Sequence, residues 1–164
     1  KNLRHLDFPL SDINTLDLSM LHLDVDGWYP PNDILRLVVN NLPRLNKLKL
    51  VHYPIKLGQN RFGFKAVCDI IKLSNLVHLD VANNPIGDTC ARMIAGMSTL
   101  RHLSISNFDK YAGKTKVSAK GLLSLCQGLS LESLNISKIQ ITQGGNSYRD
   151  DEANMRSRWL SGLE

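Results

Sequence analysis

A chain of 164 residues, 43% of them hydrophobic and 21% charged, is long enough for one domain with a substantial core and has an ordinary globular composition. No apolar run approaches the roughly 18–20 residues that a membrane span needs, and no apolar signal segment follows the first residues. The formal net charge of +5 comes from scattered lysines and arginines with acids between them, a solvated surface rather than the dense basic stripe of a nucleic-acid binder.

In chain order, Leu3, Leu6 and Phe8 open the first short alternating segment. The chain starts at Lys1 without an initiator methionine, so it reads as a piece of a longer protein. Residues 9–30 admit two registers. One uses Leu18, Leu21 and Leu23 with Asp26; the other uses Ile13, Leu16 and Leu18. The Leu21 register is preferred because it lies 27 residues before Leu48. Pro30-Pro31 then suits a helix start, with Asn32 or Asp33 as its cap and Ile34, Leu37, Val38 and Leu42 as its apolar stripe.

A pattern follows that recurs: leucine, two residues, leucine, one residue, an aliphatic. It is Leu45-Leu48-Leu50, then Leu76-Leu79-Val81, Leu100-Leu103-Ile105 and Leu131-Leu134-Ile136. The central leucines stand 31, 24 and 31 residues apart, a repeat of about 20–29 residues with insertions. Alternation marks a short strand with one buried face, and such a strand is stable only when stacked on its neighbours. Helical stripes separate the strands: Val67, Ile70 and Ile71; Ala91, Ile94 and Ala95; Leu122, Leu125 and Leu129. Asp88 and Ser118 are cap candidates for the last two. Cys68, Cys90 and Cys126 all fall on these helices. Their odd number and lack of a pairing pattern argue for reduced thiols, hence cytosol or nucleus. Beyond residue 150, Ala153, Met155, Trp159, Leu160 and Leu163 give one apolar side. That stretch reads as a chain stopping just before another strand, with a capping helix as the alternative.

The best single copy runs from Leu76 to Ala95, Leu-Val-His-Leu-Asp-Val-Ala-Asn-Asn-Pro-Ile-Gly-Asp and then Thr-Cys-Ala-Arg-Met-Ile-Ala. It resembles the leucine-rich-repeat family in its intracellular, ribonuclease-inhibitor-like or cysteine-containing form. Asn84 matches the family's ladder asparagine, Val117 to Leu123 resembles its helix start, and Ile141-Thr142-Gln143-Gly144-Gly145 is a weaker copy. The resemblance implies an α/β solenoid, a right-handed horseshoe with short parallel strands on the concave face and helices on the convex face. It would have five to six irregular repeats forming one domain over residues 1–164. Tyr53, Phe108 and Ile139 stand at the ladder position of the other repeats, so those turns must bond their backbone differently.

In that architecture the non-leucine strand residues face outward in columns. His5, Lys47, His78, His102 and Ser133 form one; Asp7, Lys49, Asp80, Ser104 and Asn135 form the next; Pro9, Val51, Ala82, Ser106 and Ser137 form a third. Lys49 and Asp80 are expected to pair across one strand step. His78, His102 and Asp80 invite a metal or acid–base reading. A zinc site needs three or four ligands at fixed spacing, so a partner-contact role is preferred and no metal or cofactor is expected. Two loops add a basic edge: Lys56 and Arg61 in one, Lys110, Tyr111, Lys114 and Lys116 in the other. Phosphate-loop and nucleophile-elbow motifs are missing. Asn135-Ile136-Ser137 is a glycosylation sequon by letter, but it lies mid-strand.

The expected function is therefore protein–protein interaction, with no enzymatic activity, no membrane and no small-molecule substrate. The resemblance further implies substrate recognition for a ubiquitin ligase. RNA or ribonucleoprotein binding through the basic loops is the alternative.

Overall fold

A computed structural model describes residues 12–19, 31–51, 64–107 and 115–142. Five three-residue strands, β1 (Thr15–Asp17), β2 (Lys47–Lys49), β3 (His78–Asp80), β4 (His102–Ser104) and β6 (Ser133–Asn135), form one parallel sheet in that order. Leu16, Leu48, Leu79, Leu103 and Leu134 lie level across all five. The four leucine segments of the sequence thus fall on neighbouring strands in the expected register. The first strand does not. It is centred on Leu16, so the preferred Leu21 register is wrong and the Ile13-Leu16-Leu18 register holds.

One backbone device repeats at each of the four steps across this sheet. The carbonyls of Asn14, Asn46, Val77 and Arg101 each accept from two successive N–H groups of the following strand segment. At the far end Leu18, Leu50, Val81 and Ile105 donate to Lys49, Asp80, Ser104 and Asn135. The sheet therefore extends one residue past each strand on the leucine-bearing side.

Among the described residues, four helices cover the leucine face: α1 (Pro31–Asn41), α2 (Phe64–Ile70), α3 (Asp88–Ile94) and α4 (Ala119–Gly128). They pack in chain order, α1 on α2, α2 on α3 and α3 on α4. The core between the layers holds Leu35, Leu45, Leu48, Leu50, Ile70, Leu76, Leu79, Ile94, Leu100 and Ile105, all buried. Two stripes differ from expectation. In α1 the inward residues are Leu35 and Val38, with Leu42 buried one residue past its end, while Leu37 is 49% exposed. Helix α1 starts at Pro31, so Asn32 and Asp33 lie inside its first turn and not at its cap. Ile71 falls one residue past α2 and turns outward.

The caps also divide unevenly. Ser118 is the N-cap of α4 and its hydroxyl accepts from Gly121 N–H. Asp88 is not the cap of α3; Gly87 is, without a side-chain bond. The Asp88 carboxylate instead reaches Ser118, which ties the start of α3 to the start of α4. Gly121 permits this approach, since a Cβ there would stand 2.5 Å from Asp88 Oδ1 and from Val117 Cγ1.

A second, two-stranded parallel sheet pairs β5 (Lys116–Ser118) with β7 (Gln140–Thr142). Val117 lies level with Ile141 and Ser118 with Thr142. The sequence likeness of these two segments is matched by their pairing, but as strands rather than as helix starts alone.

The strand exits differ from one another. Asn84, fully buried, donates through Nδ2 to the carbonyls of Leu50, Val81 and Ala82 at 2.8, 2.9 and 3.1 Å. This satisfies turn carbonyls that would otherwise cost about 1–3 kcal/mol each when buried unpaired. After β4 the bonding is different. Asn107 Oδ1 accepts from Thr115 N–H and its Nδ2 donates to the Lys138 carbonyl after β6, while Thr115 Oγ1 donates back to the Asn84 carbonyl at the β3 exit. Tyr53 and Phe108 lie outside the described residues. After β6, Ile139 has no side-chain polar group, and Lys138 adopts φ 57° where Asn83 adopts φ 59°. Asparagine tolerates that left-handed conformation well; lysine does so at a cost of about 1 kcal/mol.

Candidate interaction face

Successive strand residues point to opposite sides of a sheet. With the leucines turned to the helices, their flanking residues occupy the other face in two rows. The first is Thr15, Lys47, His78, His102 and Ser133; the second is Asp17, Lys49, Asp80, Ser104 and Asn135. Thr15 and Asp17 complete the rows beside Lys47 and Lys49. His5 and Asp7, expected there, lie outside the described residues. So do Lys56, Arg61, Lys110, Tyr111 and Lys114. Lys116 is not a loop residue: it lies in β5, level with Gln140. The basic loop edge thus lies, apart from Lys116, outside the described residues.

The second row is largely occupied with its own turns. Asp17 Oδ1 accepts from Ser19 N–H at 2.8 Å, Asp80 Oδ1 from Ala82 N–H at 3.1 Å, and Asn135 Oδ1 from Ser137 N–H at 3.1 Å. These are Asx turns that fix the strand exits. Where β2 carries Lys49 instead, the Ser19 hydroxyl accepts from Val51 N–H at 3.0 Å. The Lys49 ammonium pairs with Asp17 at 3.4 Å, not with the expected Asp80. Both groups are about half exposed, so the pair adds little stability. Hydrogen bonds from Ser19, and more weakly the Lys49 charge, hold the Asp17 carboxyl below its ordinary range. In the third column Val51, Ala82 and Ser106 are buried, so it offers no contact surface there.

The first row is different. The imidazoles of His78 and His102 stack with centroids 4.0 Å apart and planes 9° from parallel. His102 Nδ1 is 2.9 Å from Ser133 Oγ, and its Nε2 is 3.6 Å from Glu132 Oε2. Partial burial, then His102, then Lys47 push His78 below the ordinary histidine range, with Glu132 acting weakly the other way. Ser133, rather than Ser104 or Ser106, is the hydroxyl on His102. Ser104 Oγ meets Ser106 Oγ at 3.3 Å instead.

Hydroxyl, imidazole and carboxylate in sequence are the parts of a nucleophile relay. Such relays act in water-excluded sites with aimed oxyanion donors. Here Ser133 is exposed and the Glu132 side chain is 67% exposed, so the row is open to solvent. Among the described residues no group of three or more His, Cys, Asp or Glu is placed to hold a metal ion. Also among them, no helix is long and apolar enough to cross a membrane. The three cysteines are free thiols on α2, α3 and α4. Cys90 is buried and Cys68 partly so, but Cys126 is exposed and is not a core residue.

Sequence reasoning missed Asp17, Thr15 and Glu132. A signal existed for the first. Asp17, Asp80 and Asn135 each directly follow the central leucine of a strand, a recurrence that marks the β1 register. Glu132 precedes its strand and carries no pattern of its own.

Against family models, curated proteins and solved structures, the chain finds no match.

Proposed function

We propose that the chain is a leucine-rich-repeat solenoid of the intracellular, ribonuclease-inhibitor-like type, acting as a protein-interaction module through the exposed face of its sheet. The level register of five leucine-centred strands supports the repeat reading, as do the Asn84 bonds into the preceding turn. One observation carries the interaction reading. A continuous row of polar side chains, Lys47, His78, His102 and Ser133, crosses four adjacent strands on a solvent-open face. Mixed polar and charged groups at strand spacing suit a protein surface better than a phosphate backbone. The free thiols support a reducing compartment, cytosol or nucleus. Recognition of substrates for a ubiquitin ligase is the more specific form of this reading and rests on the family resemblance.

The test is site-specific photo-crosslinking in the full-length protein. A photoreactive residue is placed at Lys47 or His102 on the sheet face, or at Lys120 on α4. Adducts to one protein from the face positions, and none from Lys120, are the expected result. Adducts confined to Lys120, or face adducts that disappear on ribonuclease treatment, overturn it.

A further inference from the structure

The second row of the sheet face spends its carboxylates on its own turns and on Lys49. What remains open is the first row, and its charge is graded. Lys47, exposed, stands at the β2 side with no ion-pair partner among the described residues. His78 and His102 stack in the middle. Glu132 stands at the β6 side, within 3.6 Å of His102. Among the described residues, the Lys47 side of the row thus has no carboxylate paired to it while the His102 side has one.

From this grading we infer that the Lys47–His78–His102 row docks an extended, acidic polypeptide segment, held more tightly at mildly acidic pH. The inference rests on the interaction reading above and adds the chemistry of the partner. Neighbouring strands lie about 4.8 Å apart, and alternate side chains of an extended peptide about 7 Å apart. A peptide crossing the strands can set one carboxylate over Lys47 and the next over the stacked imidazoles. His78 meets Lys47 from β2, His102 from β4 and Glu132 from the segment before β6, with Asp80 on its own strand and Lys49 and Asp17 in the second row. Its ring stays neutral at neutral pH through partial burial and the two basic neighbours. A bound carboxylate reverses that balance, because an opposite charge at contact distance favours the protonated ring. Binding then takes up a proton at His78 and strengthens as pH falls.

The probe is a labelled peptide of alternating glutamate and serine, with glutamine–serine and lysine–serine counterparts, read by fluorescence anisotropy. The glutamate peptide should bind, and several-fold more tightly near pH 5.5 than near pH 7.5, with about tenfold as the limit for one pKa unit. Glutamate side chains stay ionised over that range. Lys47→Gln should weaken binding at both values. His78→Gln should keep the affinity near pH 7.5 and lose the gain at lower pH. Lys120→Glu, which changes net charge away from the face, should alter neither. Equal affinity at the two pH values overturns the inference. So does preference for the lysine peptide or an RNA oligonucleotide, and so does a Lys120→Glu effect as large as that of Lys47→Gln. If the crosslinks from Lys47 and His102 persist while the glutamate peptide fails to bind, the interaction reading stands and only the acidic partner falls.

Discussion

The Asp88 carboxylate closes on Ser118 twice: Oδ1 accepts the backbone N–H at 2.7 Å and Oδ2 accepts the hydroxyl at 2.6 Å. The same hydroxyl accepts from Gly121 N–H. A side chain at the start of one helix thereby holds the cap of the next.

Two substitutions probe this contact. Asp88→Ala removes two charge-assisted bonds and should lower stability by about 2–3 kcal/mol. Gly121→Ala should also destabilise, although alanine is ordinarily favoured over glycine in a helix by roughly 1 kcal/mol. The added Cβ meets a bonded carboxylate and a buried valine at 2.5 Å. Urea midpoints measure both, and a raised midpoint for Gly121→Ala would contradict the packing described.

Thiol reactivity follows burial. Desolvation pushes the Cys90 thiol up to about 11 and raises Cys68 to a lesser degree. The nucleophile is the thiolate, so Cys126, exposed, should react first with a disulfide reagent in the folded protein. Cys68 should follow slowly, and Cys90 only on unfolding. Mass mapping of the modified cysteines decides this; early labelling of Cys90 would count against the buried site.

Stability should depend on pH through His78. Its folded value lies below the ordinary 6.5, so the unfolded chain binds the proton more readily. The contribution is complete above about pH 6.5 and is lost as pH falls through the folded value. Denaturation midpoints should therefore fall on acidification from about pH 7 to pH 5, and less steeply in His78→Gln. Parallel profiles for the two proteins would exclude the effect.

The sheet was legible where leucine alternation is unambiguous, at Leu48, Leu79, Leu103 and Leu134. It was not legible at the first strand, because Leu16 and Leu21 both complete the pattern and a three-residue strand gives no further periodicity to choose between them. The strands β5 and β7 were hidden for the same reason: Val117 is the one buried hydrophobic of β5 and Ile141 of β7 is exposed, too little to show alternation. Helix stripes slipped at Leu37 and Ile71, where several aliphatics are adjacent and only the packing partner selects the inward one. On the face, the column composition could be read from the repeat. The stacking of His78 on His102 follows from their shared register. The choice of Asp17 over Asp80 by Lys49 does not, since both lie one strand away. The Asx turns also changed the weight of the residues: Asp80 and Asn135 were expected as contacts and are engaged in holding their strand exits.

Every strand of the five-stranded sheet lies beside the strand that precedes it in that sheet's chain order. The loops between level leucines, Leu16 to Leu48 through Leu103 to Leu134, span only 24 to 32 residues. The entropy of closing a loop grows with the logarithm of its length, so each pairing is nearly as easy to nucleate as any other. Folding can begin at β3–β4, the shortest loop, and spread toward both ends without waiting for a distant contact. No strand of this sheet waits on a contact between its two distant edges, so the strands can be added one at a time to a growing stack.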